Sequence, residues 1–147
     1  MSLPGSILFC CDHNSVRSPM AEGLMKSLIG KSAYVQSAGL KDDRDIDGFS
    51  IAVCQELGVE LSRHKTRSFE TLADAGDELE SYDLIICLSL ASFDMAKDLT
   101  AGSAARVEYW ETSDPTAHGE TREDRLAAYR NIRDGLLVRM KTYFDLS

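Results

Sequence analysis

The chain has no apolar run long enough to cross a membrane. A membrane-spanning helix needs about 20 consecutive apolar residues, and no stretch of the 147 residues approaches that length. The first residues also lack the basic and apolar regions of a signal peptide. Without a secretory signal, the four cysteines are expected to stay reduced. These absences predict a soluble protein of the cytoplasm with no membrane partner.

Positive charge is scarce as well. Lysine and arginine total 16 against 24 acidic residues, which gives a formal net charge of -8. Nonspecific nucleic-acid binding requires a basic surface, so no nucleic-acid partner is expected. A local basic cleft for an anion is still compatible with this composition. His13, His64 and His118 have no partners at metal-ligand spacing. The sequence therefore predicts neither a metal nor another cofactor.

Repeats, low-complexity tracts and linkers are missing, so residues 1–147 are predicted to form one domain. Apolar runs alternate with helical periodicity, which favours an α/β fold with a parallel sheet covered by helices. The predicted strands are Ser6–Cys11, Ala33–Ser37, Leu84–Leu88 and Ala105–Tyr109. The predicted helices are Met20–Ile29, Phe49–Leu57, Ser68–Ala75, Ser89–Leu99 and Thr121–Phe144.

The most informative stretch is the loop that joins the first strand to the first helix. Ser18 is a predicted N-cap, and Pro19 suits the first turn of that helix. Backbone N–H groups in such a loop point into one concave space that suits an oxyanion. Arg17 can donate two hydrogen bonds to the oxyanion, and the positive field favours the thiolate of Cys11. The spacing of Cys11 at the start of this loop and Arg17 at its end predicts a phosphate-transfer site with a cysteine nucleophile.

The segment Cys11–Glu22 resembles the low-molecular-weight protein tyrosine phosphatase family and its relatives, the thioredoxin-coupled arsenate reductases. The similarity extends over nearly the whole chain, because further segments match the family in the same order. These segments are Ser37-Ala38-Gly39, Leu57-Gly58-Val59, His64-Lys65-Thr66-Arg67, Tyr82-Asp83-Leu84-Ile85 and Asp114-Pro115. The resemblance implies a three-layer sandwich with a four-stranded parallel sheet, of the flavodoxin-like or Rossmann-like type.

The resemblance also implies roles for individual residues. Cys11 would attack phosphorus and form a phosphocysteine. Arg17 and the loop N–H groups would hold the oxyanion. Asp114 would protonate the leaving oxygen and later activate water. Ser18 would donate its hydroxyl to Cys11, and Asn14 would brace the loop from a left-handed conformation. The expected substrate-binding residues are Asp12, His13, Asn14, Ser15, Val16 and Ser18.

Three departures separate this chain from both groups. His13 stands where glycine is usual, so the loop is expected to differ in shape or in substrate entry. After Asp114-Pro115 the phosphatases usually have an aromatic residue. This chain has Thr116 there, as the reductases do, so a preference for aromatic phosphoesters is in doubt. The reductases need two further cysteines about seven residues apart. This chain has Cys87, but Asp94 stands seven residues later in place of the second of these cysteines. Val16 also replaces the second cysteine of the loop after the first strand.

The remaining chemistry-bearing residues have simpler interpretations. Cys10 should face away from Cys11 and fill the core, with a redox role as the alternative. Cys54 and Cys87 are core candidates, although Cys87 lies near the point where a reductase cysteine attacks the first one. His13 is expected to line the mouth of the site. Trp110 either packs in the core or forms a wall of the pocket.

Three functions follow from the sequence. The favoured one is a metal-free phosphomonoesterase, a protein tyrosine phosphatase that acts on a phosphorylated protein or a small phosphoester. The second is an arsenate reductase in which Cys11 works with Cys87, Cys10 or an external thiol donor. The third is an oxyanion-binding module without catalysis. The acidic stretch from Asp42 to Asp47 is a solvated loop, or else it selects substrates.

Overall fold

A computed structural model describes residues 3–146, and four parallel strands form its single sheet. The strand order is β2-β1-β3-β4, with every neighbouring pair parallel. The strands are β1 (Ser6–Cys11), β2 (Tyr34–Gly39), β3 (Leu84–Cys87) and β4 (Arg106–Tyr109). The predicted α/β class and the four-stranded parallel sheet are confirmed.

Helices connect the strands and cover both faces of the sheet. They are α1 (Arg17–Ile29), α2 (Gly48–Gln55), α3 (Phe69–Asp74), α4 (Leu90–Leu99) and α5 (Arg122–Tyr143). Short 3₁₀ turns occur at Leu79–Ser81 and Pro115–Ala117. Within residues 3–146, no helix is long and apolar enough to span a membrane.

Alternation along the strands divides the core between the two faces. Ile7 and Phe9 pack with apolar side chains of α1, α2 and α5 on one face. Leu8 and Cys10 pack with α3 and α4 on the other. Successive side chains of a strand point to opposite faces, so one buried strand supplies both halves of the core. Cys11, at the end of β1, is therefore on the face that α1 covers.

The chain order reverses at β1, which lies between β2 and β3. In open α/β sheets, ligands bind beyond the carboxyl ends of the strands at such a switch point. The loop after β1, residues 11–17, occupies this position and is called the cysteine loop below. Gly39 ends β2 beside it, where a Cβ would lie 2.7 Å from the backbone nitrogen of Asn14. Only glycine allows this close contact.

The predicted elements match the structure best at β1, whose bounds are the same. The predicted second strand is shifted, because it begins at Tyr34 and continues to Gly39. Helix α1 begins at Arg17 rather than Met20, and its N-cap position is Val16, without a side-chain cap. The predicted N-cap role of Ser18 is therefore wrong. Its hydroxyl contacts other loop residues instead.

Candidate active site

Cys11 stands at the end of β1 with its sulfur against the first turn of α1. Cys11 is 2% exposed, and its Sγ lies 2.9 Å from the hydroxyl oxygen of Ser18. Ser18 is completely buried, and its hydroxyl oxygen accepts a hydrogen bond from Asn14 Nδ2 at 2.9 Å. Because that amide occupies an acceptor position of the hydroxyl, the Ser18 proton is available for the sulfur.

Arg17 closes the cysteine loop, and its guanidinium is largely covered. Nη1 donates to the carbonyl oxygen of Thr112 at 2.9 Å. Nη2 lies 3.5 Å from a carboxylate oxygen of Asp12. These contacts fix the guanidinium beside the loop and connect it to the segment that carries Asp114. An arginine held in this way can donate in parallel to two oxygens of a tetrahedral anion.

Asn14 adopts the left-handed conformation, with φ of 52°. Besides Ser18, its Nδ2 donates to the hydroxyl of Ser37 at 2.9 Å. Its Oδ1 accepts from His64 Nε2 and from the backbone N–H of Arg67, both at 2.9 Å. The predicted left-handed conformation and bracing role are both confirmed. Asn14 is completely buried, so its side chain supports the loop from the protein interior.

A polar network that sequence reasoning missed extends behind Asn14. Ser37 donates to Glu22 at 2.5 Å, and Glu22 also pairs with Lys26 and Arg67. Burial lowers the pKa of His64, and the nearby Glu22 carboxylate opposes this shift. A neutral His64 that carries its proton on Nε2 satisfies Asn14 Oδ1. The family matches at Glu22, Ser37 and residues 64–67 were the signals in the sequence that pointed to this region.

Asp114 lies on the loop after β4. Arg17 connects this loop to the cysteine loop through its hydrogen bond to Thr112. Asp114 Oδ1 accepts from the backbone N–H and the hydroxyl of Thr116, at 3.0 and 2.8 Å. Burial raises the pKa of Asp114, but the Thr116 hydrogen bonds and the charges of Arg17 and Arg44 outweigh it. The balance leaves this pKa below its ordinary value. The carboxylate form of Asp114 is thus favoured.

The stretch from Asp42 to Asp47 forms a wall beside the cysteine loop. His13 Nδ1 lies 2.8 Å from Asp43 Oδ1, and the Ser15 hydroxyl donates to the Asp45 carbonyl at 2.7 Å. Asp47 N–H donates to the Ser15 carbonyl at 3.0 Å. Among residues 3–146, only Asn14 and Asp145 are non-glycine residues with positive φ. His13 therefore fits without the backbone strain expected at a glycine position.

The other cysteines lie away from the Cys11 sulfur. Cys10 and Cys87 are register partners on neighbouring strands and are buried in the core cluster under α3 and α4. Burial raises the pKa of Cys10 well above its usual value, and neighbouring Cys87 and Cys11 raise it further. Burial raises the pKa of Cys54 to about 11. Cys54 and Trp110 belong to the other core cluster, which confirms the core prediction for Cys54 and the core alternative of the two left open for Trp110.

The structure brings most of the predicted site residues together, and these residues differ in how exposed they are. Asn14 and Ser18 are completely buried and Val16 is 8% exposed, so the side chains of these three residues are not open to a substrate. Asp12 and His13 are partly exposed at the mouth. Among residues 3–146, no group of three or more metal-ligand side chains is assembled.

Comparison with known proteins gives a consistent family relationship. A sequence profile for low molecular weight phosphotyrosine protein phosphatases matches residues 6–140. An arsenate reductase of Halalkalibacterium halodurans is 31% identical over 141 residues, covering 95% of this chain and 94% of the relative.

Solved structures add the fold. The tyrosine phosphatase AmsI of Erwinia amylovora superposes with a TM-score of 0.77 at 24% identity, covering 99% of this chain and 95% of that one. An arsenate reductase in the phosphate binding state gives a TM-score of 0.73 at 25% identity, with both chains covered completely.

Proposed function

The chain belongs to the low molecular weight phosphotyrosine protein phosphatase family, and on this premise we propose that it is a metal-independent phosphomonoesterase. Its substrate is a phosphorylated protein, with phosphotyrosine as the first candidate, or a small phosphoester. The observation that carries the proposal is the Cys11 sulfur, 2.9 Å from the Ser18 hydroxyl, inside a strand-to-helix loop that Arg17 closes.

In the first step, the Cys11 thiolate forms a bond to phosphorus while the bond from phosphorus to the ester oxygen breaks. Arg17 and the loop N–H groups stabilise the charge on the equatorial oxygens. Asp114 transfers its proton to the leaving oxygen. A bound phosphate dianion offsets the charge of Arg17, which is one cause of the low pKa of Asp114. Substrate binding thereby favours the protonated acid.

In the second step, water displaces the cysteine sulfur from phosphorus. The Asp114 carboxylate accepts a proton from that water, and inorganic phosphate is released. The Ser18 hydroxyl donates to the departing thiolate across the 2.9 Å contact. The reaction neither oxidises nor reduces any group, so it needs no thiol donor.

Hydrolysis of p-nitrophenyl phosphate in the presence of a chelator tests this proposal. We expect turnover by the wild type and a fall of roughly 10³-fold or more for Cys11→Ser. The control Cys54→Ser, on the buried side of α2, should keep its activity. Rapid quenching with labelled substrate should trap phosphate on Cys11. Tight phosphate binding without turnover on a panel of phosphoesters would instead favour the non-catalytic module.

Reduction of arsenate is a second candidate, favoured by the 31% identical relative named arsenate reductase. In that reaction arsenate takes up two electrons and becomes arsenite, while two thiols join in a disulfide and one oxygen leaves as water. Cys11 would supply one thiol. Cys87 packs with Cys10 on the sheet face opposite Cys11, so the second thiol would come from an external donor.

Arsenate-dependent NADPH consumption, coupled through thioredoxin and its reductase or through glutathione and glutaredoxin, tests this second activity. If reduction is the function, arsenate should drive NADPH consumption that Cys11→Ser abolishes and Cys87→Ser preserves. No consumption with either donor, alongside aryl phosphate turnover, would leave the phosphatase as the function.

A further inference from the structure

A groove between α3 and α4 contains apolar side chains that are half exposed to water. Met95 and Leu99 are 44% and 47% exposed, and their spacing of four residues places them on one side of α4. With Phe69 and Leu40 they line a groove of about 630 Å³. A continuous apolar surface of this kind on a soluble protein indicates a binding partner.

The rim of the groove is acidic. Glu70, Glu78 and Glu80 line it together with a single base, Lys41. In the part of the chain that the structure describes, none of these three glutamates forms an ion pair. Their charges are thus available to a partner. The chemistry that complements this groove is a large apolar side chain with lysine or arginine beside it.

Two residues that line the groove are hydrogen-bonded to the backbone of the cysteine loop. Leu40 N–H donates to the carbonyl oxygen of Cys11 at 3.2 Å, and Lys41 N–H donates to that of Asp12 at 3.0 Å. Both residues also line the groove. An extended chain advances about 3.3 Å per residue. A substrate segment that leaves the cysteine loop across residues 40 and 41 would therefore come to the apolar surface.

We infer that this α3–α4 groove binds the segment of a phosphoprotein substrate next to its phosphorylated residue, and that this segment carries a large apolar side chain flanked by basic residues. The inference rests on the proposed phosphatase function, because it supplies the substrate class of the same site. The groove adds affinity and orientation through contacts remote from the reacting phosphorus.

Two phosphotyrosine peptides that differ only in the flanking segment test the inference. One carries leucine between two arginines, and the other carries leucine between two glutamates. We expect the wild type to favour the basic peptide in kcat/KM by about tenfold or more. Met95→Lys should bring that ratio close to one, mainly through KM, because it removes apolar area and repels the basic peptide.

Val138→Lys is the matched control, since Val138 is also an exposed apolar residue, 65% exposed on α5. It should leave the peptide ratio as in the wild type. Both variants should hydrolyse p-nitrophenyl phosphate like the wild type, because this small substrate does not reach the groove. A wild-type ratio near one, or a ratio that Met95→Lys leaves unchanged, would overturn the inference.

Binding of the basic peptide without its phosphate separates the groove from the chemistry. Fluorescence anisotropy should detect its binding to the wild type, weakened by Met95→Lys and by added salt. If this binding occurs but no phosphoester is hydrolysed, the phosphatase proposal fails while the groove keeps its partner. If phosphoesters are hydrolysed and the peptide does not bind, the groove inference fails alone.

Discussion

Asn14 has an unfavourable backbone conformation, and both polar atoms of its side-chain amide are hydrogen-bonded. The left-handed region costs a non-glycine residue roughly 1–2 kcal/mol. Four hydrogen bonds, to Ser18, Ser37, His64 and the Arg67 backbone, offset that cost. The residue therefore transfers the rigidity of the surrounding segments to the cysteine loop.

Substituting Asn14 with glycine or alanine distinguishes these two contributions. Asn14→Gly keeps the backbone conformation but leaves buried partners unpaired, so the free energy of unfolding should fall by about 2 kcal/mol or more. Asn14→Ala should lose about 1 kcal/mol beyond that. Urea unfolding measures both values. An alanine variant as stable as the glycine variant would mean that the positive φ of 52° does not constrain residue choice.

Thr116 controls the protonation of Asp114 through its hydroxyl. Its hydrogen bond stabilises the carboxylate and helps to hold the pKa of Asp114 below its ordinary value. In Thr116→Val the backbone N–H bond stays and the hydroxyl bond is lost, so this pKa should rise. With Asp114 as the proposed general acid, the acid then remains protonated to higher pH. The alkaline limb of the kcat profile for p-nitrophenyl phosphate should move up by roughly half a pH unit.

Thr112→Val is a control for that experiment on the same loop. The Thr112 hydroxyl donates to the Trp110 carbonyl, while the Thr112 carbonyl that holds Arg17 is retained. Its pH profile should follow the wild type. A Thr116→Val profile that moves to lower pH, or does not move, would contradict the role of Asp114 as the acid.

At the scale of elements, Glu56 joins the end of α2 to α5. It accepts hydrogen bonds from Arg130 and Arg133, which lower its pKa to about 2. Because the folded pKa is depressed, this contribution to stability is complete above the ordinary value near 4.5. It disappears as the pH falls toward 2.

Glu56→Gln should therefore destabilise the protein at neutral pH, and the difference from the wild type should shrink between pH 4.5 and 2. Urea unfolding at a series of pH values measures this difference. Glu120→Gln, in the exposed segment before α5, should match the wild type at every pH. Because Glu56 and Arg130 are partly exposed, added salt should also weaken the effect. A constant difference across pH would exclude the ion pairs as its cause.

The elements that sequence reasoning located correctly are those whose signal is local. The buried run of β1 and its polar loop predict the strand, its end and the place of Cys11. The predicted N-cap role of Ser18 is wrong, because the cap preference of serine is local, whereas its contacts with Cys11, which the resemblance implied, and with Asn14 depend on the shape of the loop. The Glu22–Ser37–His64 network was missed because three separate segments meet only in the folded chain.

At the scale of the whole molecule, the sheet separates the cysteines. Cys11 faces α1, while Cys10 and Cys87 lie together in the core under α3 and α4. A disulfide requires Cβ atoms about 3.5–4.5 Å apart with suitable direction. Because strand neighbours point to opposite faces, neither Cys10 nor Cys87 presents its sulfur to Cys11. Neither Cys10 nor Cys87 is therefore placed to form a disulfide with an oxidised Cys11.

Peroxide treatment should reveal this arrangement. Without a second thiol, oxidised Cys11 should pass from sulfenic to sulfinic acid and lose activity that dithiothreitol does not restore. Inorganic phosphate should protect, because it occupies the cysteine loop. Peptide mass spectrometry should find the added oxygen on Cys11 and leave Cys87 reduced. The variant Cys87→Ser should lose activity at the wild-type rate. A Cys11–Cys87 disulfide would mean that β1 and β3 rearrange enough to bring the two sulfurs to one face. Full recovery with dithiothreitol would contradict the expected oxidation to sulfinic acid.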